Sequence, residues 1–350
     1  MLLKLKMFSC AQYIAVSTFW YAVGMSVRGA LQPYAVAHNG YAVFTTVVAV
    51  IGYTLALSAS VYFFNESLWW AYVASTVLGS LLMVKVFTIQ HDCGHDSMFS
   101  RATANLWVGR VCSLLTTMPF DAWKQNHAAH HGALGNLSKA GIGDTALMTV
   151  EEFKNATQGS RLVYRITRNP LVHLVFSPFF YFFILFKILH VFGREHRTST
   201  LLNDFFVLSI FLVLAYFFGF WALVVAYVPT LYFGGIVGLL LFYLQHNFPS
   251  MRWYKPDEWA HETASLSGSS LIVLPQPLEW FTHAIGYHHV HHLNSKIPGY
   301  RLRTAYQSVM DLKVQKPLTL RDAIFSFRLK LWSFDQNRLV TYREAESLAR

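Results

Sequence analysis

Residues 202–244 form one apolar block, and that block leaves the chain few architectures. A helix rises about 1.5 Å per residue and a bilayer core is about 30 Å thick, so roughly 20 residues cross it. The block is nearly twice as long as one crossing needs and must fold back, most naturally around Gly219. Two further runs, 41–64 and 68–90, are almost wholly apolar and are parted only by Asn65, Glu66 and Ser67. The reading is an all-α integral membrane protein with four transmembrane helices in two hairpins, at about 41–64, 68–90, 202–219 and 221–244.

The remaining segments are interfacial or aqueous. Residues 8–36 carry Arg28, Gln32 and Pro33 and read as a membrane-surface helix or a poor span. Residues 101–120 alternate polar and apolar groups, as an amphipathic interfacial helix does. Residues 132–168 are polar and glycine-containing, a solvent-facing connection. Charged residues make up 13% of the chain against roughly 25% in soluble proteins, which agrees with a membrane protein. Cys10, Cys93 and Cys112 include no C-x-x-C pair, so no disulfide framework is expected. No removable signal peptide is favoured, because the Met1 segment lacks a small-residue cleavage site.

Histidines gather in three places: His91 and His95; His127, His130 and His131; and His288, His291 and His292. Within each cluster they lie three or four residues apart, which puts imidazoles on one face of a helix. Eight rings exceed the four ligands of a closed zinc site, so two ions are implied. Iron is favoured: it binds nitrogen, keeps open positions and activates oxygen, whereas zinc does no redox chemistry. The near absence of carboxylates from the clusters departs from the Glu-rich sites of soluble four-helix bundles. His246 directly follows the last apolar run and is a candidate ninth ligand. His283, five residues before His288, is turned off the ligand face and left out. So are the isolated His38, His173, His190, His196 and His261. Asp92 and Asn126 adjoin the clusters and could hold imidazole N–H groups. Cys93 and Gly94 read as small residues that allow close packing.

One site requires one side of the membrane, and therefore an even number of crossings between His131 and His288. The 202–244 pair supplies two, so 171–192, with His173, Pro178 and Lys187, should be a surface or re-entrant segment. The turns at 65–67 and near 219 contain no Lys or Arg. The segments beside the clusters hold Arg101, Arg110, Lys124, Arg161, Arg165, Arg168, Arg252, Lys255, Lys296, Arg301 and Arg303. The positive-inside rule then puts the clusters and both termini in the cytoplasm, with metal-site segments 91–170 and 245–305 in a single domain covering 1–350. The net charge of +10 is read as this bias, as a dock for an acidic electron donor, or as lipid-headgroup binding. No nucleic-acid partner is expected.

At these clusters the sequence resembles the membrane fatty acyl desaturases, whose hallmark is three histidine boxes. His91-Asp-Cys-Gly-His95 matches their first box and Trp123-x-x-x-His127-x-x-His130-His131 their second. Gly286-Tyr-His288-His-Val-His291-His292-Leu, continuing into Ile297-Pro298, matches the third, and Tyr243-Leu-Gln-His246 resembles the extra histidine after the family's last span. The short first box and the Gly-Tyr-His-His sequence look most like the acyl-lipid Δ12/ω6- and ω3-type enzymes. The resemblance implies a four-span helical cap over a cytoplasmic site of two non-haem irons. It also implies O2-dependent insertion of a cis double bond into a lipid-linked acyl chain. Electrons would come from a separate ferredoxin or cytochrome b5-like donor, and a bacterial inner membrane suits the chain better than an organelle. His283-Ala284 departs from the Gly-Asn common in relatives, which puts the detail of coordination there at issue.

Two alternatives stay open at this point. The same metal core could hydroxylate an acyl chain, alkane or carotenoid. A histidine-rich metal carrier or haem-binding membrane protein is a third reading. A carrier should line its spans with ionisable groups. Residues 41–64 have none, 68–90 only Lys85, and 202–244 only Asp204 near its end.

Overall fold

The computed structural model describes residues 26–141, 146–180, 184, 195–309, 312–313 and 315–347. Its scaffold is helical: α1 (Asn39–Asn65), α2 (Trp69–Gly94), α3 (Ala102–Thr116), α4 (Phe120–Ala133), α5 (Arg197–Phe218), α6 (Phe220–His246) and the short α7 (His288–Leu293). Among the described residues, α1, α2, α5 and α6 are long and apolar enough to cross a membrane. Helix α2 runs on past residue 90, so His91 stands in its last turn and His95 caps it.

Local chemistry sets the helix ends. His38, one of the isolated histidines, caps α1 by accepting from the Tyr41 N–H through Nδ1 at 3.2 Å. Between α5 and α6, Gly219 takes φ +90°, a backbone state that favours glycine, and reverses the chain. Trp69, Trp70, Tyr216 and Trp221 are exposed beside the two turns, where amphipathic rings suit a membrane–water boundary.

Helix α2 is the central column. It packs on α1, α3 and α6, and 61% of its most apolar window is buried, against 6% for α5. Lipid tails are as apolar as leucine, so close fit rather than escape from water must hold spans together. The contacts accordingly use small residues: Ala42, Ala49, Ala56 and Ser60 on α1, Ser75, Gly79 and Ser80 on α2, and Gly234 and Gly235 on α6 are all buried. A buried Ser60–Ser75 hydroxyl pair at 2.9 Å adds a polar tie.

Three expectations need correction. The 101–120 segment is not one helix: α3 ends at Thr116, Thr117 turns the chain at φ +59°, and α4 starts at Phe120. Its polar residues Asn105, Ser113 and Thr116 face inward while Trp107 and Val111 are exposed. The 132–168 connection is not merely solvent-facing, because Asn136, Thr149, Tyr164 and Arg168 are buried. There β1 (Met148–Thr149) pairs in parallel with β2 (Leu331–Ser333), which pairs antiparallel with β3 (Arg338–Val340). Strands of two or three residues carry no readable periodicity, so this small sheet escaped a purely helical reading. The described part of 8–36 is not a surface helix either. Val27 and Leu31 are buried in a cluster with Leu271, Ala284, Val290 and Leu293; residues 8–25 lie outside the described residues.

Of 171–192, expected to be a surface or re-entrant segment, only 171–180 and 184 are described. Val172–Phe176 is a π-helical turn leading into Ser177–Phe180, and it packs on α6, where the Tyr232 hydroxyl donates to the Val175 carbonyl at 2.8 Å. Pro178 contributes no N–H, and a widened turn is one way a helix accommodates that. Whether 181–183 and 185–192 stay at the surface lies outside the described residues.

Candidate metal centre

Four helix segments deliver the clustered histidines to one place: the end of α2, the second half of α4, the last residue of α6, and α7. Two groups form. His91, His95, His127, His131 and His291 make one; His130, His246, His288 and His292 make the other, and within each a ligand atom from every residue lies within 4.8 Å of the rest. The nine residues are the ones the sequence singled out, and His246 takes its place in the second group.

How the boxes divide between the groups is not a matter of box membership. On α4, His127 and His131 are one turn apart and face the first group, while His130 between them faces the second. On α7 the assignment reverses: His288 and His292 face the second group and His291 the first. Each of these helices therefore forms a wall common to both sites, and the His131 and His292 rings stack across it at 4.0 Å.

The nitrogens are placed as ligands would be. In the first group, His131 Nε2 lies 3.1 Å from both His127 Nε2 and His291 Nε2. In the second, His246 Nε2 lies 3.1 Å from His130 Nε2 and 2.9 Å from His288 Nε2, which is 3.0 Å from His292 Nε2. Ligands at right angles on an ion with metal–nitrogen distances of about 2.1 Å would be roughly 3.0 Å apart. One ring nitrogen cannot donate to several neighbours at once, so a shared cation accounts for this convergence better than hydrogen bonds do. His95 Nε2 is buried with no hydrogen-bond partner. Among the described residues neither group contains a carboxylate or thiolate, so the donor set is pure imidazole, which fits a transition metal.

The surroundings hold the rings in that form. His246 Nδ1 lies 3.2 Å from the Gly268 carbonyl, which fixes the proton on Nδ1 and leaves Nε2 bare. His91 Nδ1 lies 3.1 Å from Asp92 Oδ1. Burial first, and then the neighbouring imidazoles, hold His95, His127, His130, His131, His288, His291 and His292 well below the ordinary histidine range. They are therefore neutral at physiological pH, the protonation state a metal requires. Trp123 stacks on His127 at 4.7 Å, and Gly94 makes room for it: a Cβ at Gly94 would come within 2.7 Å of the indole. Cys93 is buried in the helix core, as expected of a packing residue.

The chain belongs to the fatty acid desaturase family. A family model described as fatty acid desaturase matches residues 67–321, which include all nine histidines. A protein of Bacillus subtilis named fatty acid desaturase is 33% identical over 272 residues, 77% of each chain. An sn-1 oleoyl-lipid 12-desaturase of Picosynechococcus is 27% identical over 76% of this chain and 75% of its own. An sn-1 acyl-lipid omega-3 desaturase (ferredoxin) of Synechocystis is 28% identical over 79% and 76%. The desaturase is thus an enzyme of lipid metabolism, and the metal-carrier reading falls away.

Among the described residues, the isolated histidines stay apart from both groups of the desaturase. His173 packs on the Tyr243 ring at 5.0 Å, and burial lowers its pKa to about 4. His196 and His261 stand at helix starts, and His190 lies outside the described residues. What sequence reasoning missed is His283: it is no member of either group, yet it is buried against Asp92 and Lys85. The one available signal was Lys85, a lone ionisable residue in an otherwise apolar span.

Proposed function

We propose that the desaturase inserts a cis double bond into a lipid-linked acyl chain, using O2, two electrons and two iron ions. His91, His95, His127, His131 and His291 would hold one iron, and His130, His246, His288 and His292 the other. Asp92 and the half-buried Asn126 would orient rings from outside. The observation that carries this reading is the convergence of nine imidazoles into two adjacent nitrogen cages on a fatty acid desaturase chain.

A methylene has no acidic proton, so no side chain acting as a base can remove its hydrogen. The bound irons would supply oxidising power, so that O2, two electrons and two protons become two waters as two hydrogens leave adjacent carbons. The chain's own work is to bind, orient and keep dry. The second group is wholly buried, with Phe242 against His130 and His246 at 5.3 and 5.2 Å. That wall would exclude water beside the acyl chain. Neighbouring methylenes are chemically almost alike, so positioning rather than reactivity must select the bond.

The basic segments support a cytoplasmic site, a multi-pass inner-membrane location and an acidic electron donor of ferredoxin or cytochrome b5 type. Lys124 and Lys296, on the rim of the first group beside Asp96, would meet that donor. Lipid analysis of cells expressing the protein is the test. New cis double bonds are expected; hydroxy acids without new double bonds would make the enzyme a hydroxylase instead.

A further inference from the structure

Beneath the first metal group a second chain of polar contacts runs down into α2. Lys85 Nζ lies 2.5 Å from His283 Nδ1, His283 Nε2 lies 3.3 Å from Asp92 Oδ2, and Asp92 Oδ1 lies 3.1 Å from His91 Nδ1. All four residues are buried, Lys85 and His283 at 2% and 3% exposure. An ammonium can only donate, so His283 Nδ1 accepts and the ring carries its proton on Nε2, facing the carboxylate. The ionised Asp92 accepts from His91 Nδ1–H, which leaves His91 Nε2 free of a proton. The Gly299 N–H donates to Asp92 Oδ2 at 2.6 Å, and the Trp280 ring lies 4.8 Å from the Lys85 ammonium.

The backbone shows that the arrangement is held against resistance. His283 and Ala284 have φ of +53° and +56°, left-handed values at two consecutive residues that are not glycine. A Cβ at Gly299 would come within 2.3 Å of the His283 ring, so the start of the helix Gly299–Ser308 is fitted around this histidine. Neither Lys85 nor His283 belongs to a metal group. A buried lysine in a membrane span, tied through a strained histidine to the carboxylate that holds a ligand ring, requires a role.

We infer that Lys85 and His283 are positioning residues that act through Asp92 to fix the tautomer and orientation of His91. This rests on the reading of the first group as an iron site. Asp92 alone could swing between its partners. With the Gly299 N–H bound to one oxygen and the His283 ring packed beside it at 3.3 Å, it presents the other to His91 in a single direction. With Lys85 protonated, its charge balances that of the carboxylate and the assembly is neutral within the protein.

The test follows transfer of ferrous iron from the full-length protein in lipid nanodiscs to 2,2′-bipyridine, with no turnover involved. Lys85→Met and His283→Leu should each speed release of one of the two irons by about 10–100-fold, the usual effect of losing an outer partner of a ligand. His283→Gln, which keeps an acceptor for Lys85, a donor for Asp92 and the same backbone strain as His283→Leu, should stay near the wild-type rate. In an Asp92→Asn background neither substitution should have further effect, because the path is already cut. If Lys85→Met does not fold, Lys85→Gln should show an intermediate acceleration. Wild-type release from both single variants would overturn the inference. So would equal acceleration with and without Asp92, which would mean general loosening. A wild-type protein that holds no iron in its histidine groups would overturn the iron-site reading and this inference with it.

Discussion

The two histidine groups are built from the same side chain and share α4 and α7, but α2 completes the first and α6 the second, and they differ in what encloses them. In the first, five rings converge, and His95, His127 and His131 are partly exposed. In the second, four rings converge and all are buried. On the proposed reading the first group would hold an outer ion, at the partly exposed rim, and the second an inner ion, on the buried side.

Removing a ring from the inner group should have the largest effect. His130→Ala or His288→Ala should leave the outer metal bound, reduce bound iron from two to about one, and lower desaturation by at least about 100-fold. Iron analysis with product lipids checks this; full activity in either variant would break the ligand assignment.

Acid should separate the groups next. Folding lowers the pKa of His95, His127, His130, His131, His288, His291 and His292, so the unfolded chain binds more protons than the native one below about pH 6.5. Their contribution to stability is complete above that pH and drains away as the pH falls toward the lowered values. Protons also compete with metal. Iron should leave in two phases below about pH 6.5, the outer phase about tenfold faster, as followed by chelator absorbance. A single phase would erase the contrast between the groups.

Gly94→Ala should disturb only the outer site. The new methyl would press on Trp123 and its stack with His127. Overpacking of this kind destabilises by about 1–3 kcal/mol. Thermal unfolding and release of the outer iron should both shift, while the inner iron stays bound.

The smallest effect should come from the rim. Lys296→Ala should slow donor-supported turnover a few-fold at low salt and little at high salt, since rim charges act mainly on association. Turnover with a small chemical reductant should not change.

Much of this was legible in one dimension because it depends on length and spacing. A bilayer sets how long an apolar run must be, so 41–64, 68–90 and 202–244 announced the spans. The i, i+3 and i+4 separations announced the histidine faces, and depth at the end of a span picked out His246. Other features depend on partners far apart in the chain. The pairing of Met148–Thr149 with Leu331–Ser333 is one, and the burial of Val27 and Leu31 beside the third box is another.

The sequence by itself determined that this is a membrane chain whose imidazoles are numerous enough, and spaced well enough, to bind two metals. Only the tertiary structure decided how they divide, because one helix presents His130 and His131 to different neighbours, and a neighbour is a fact of packing. The same holds for His283. It belongs to neither group, yet not for the helical reason expected: it lies in the turns before α7, at φ +53°, and only the approach of α2 shows it meeting Lys85 and Asp92.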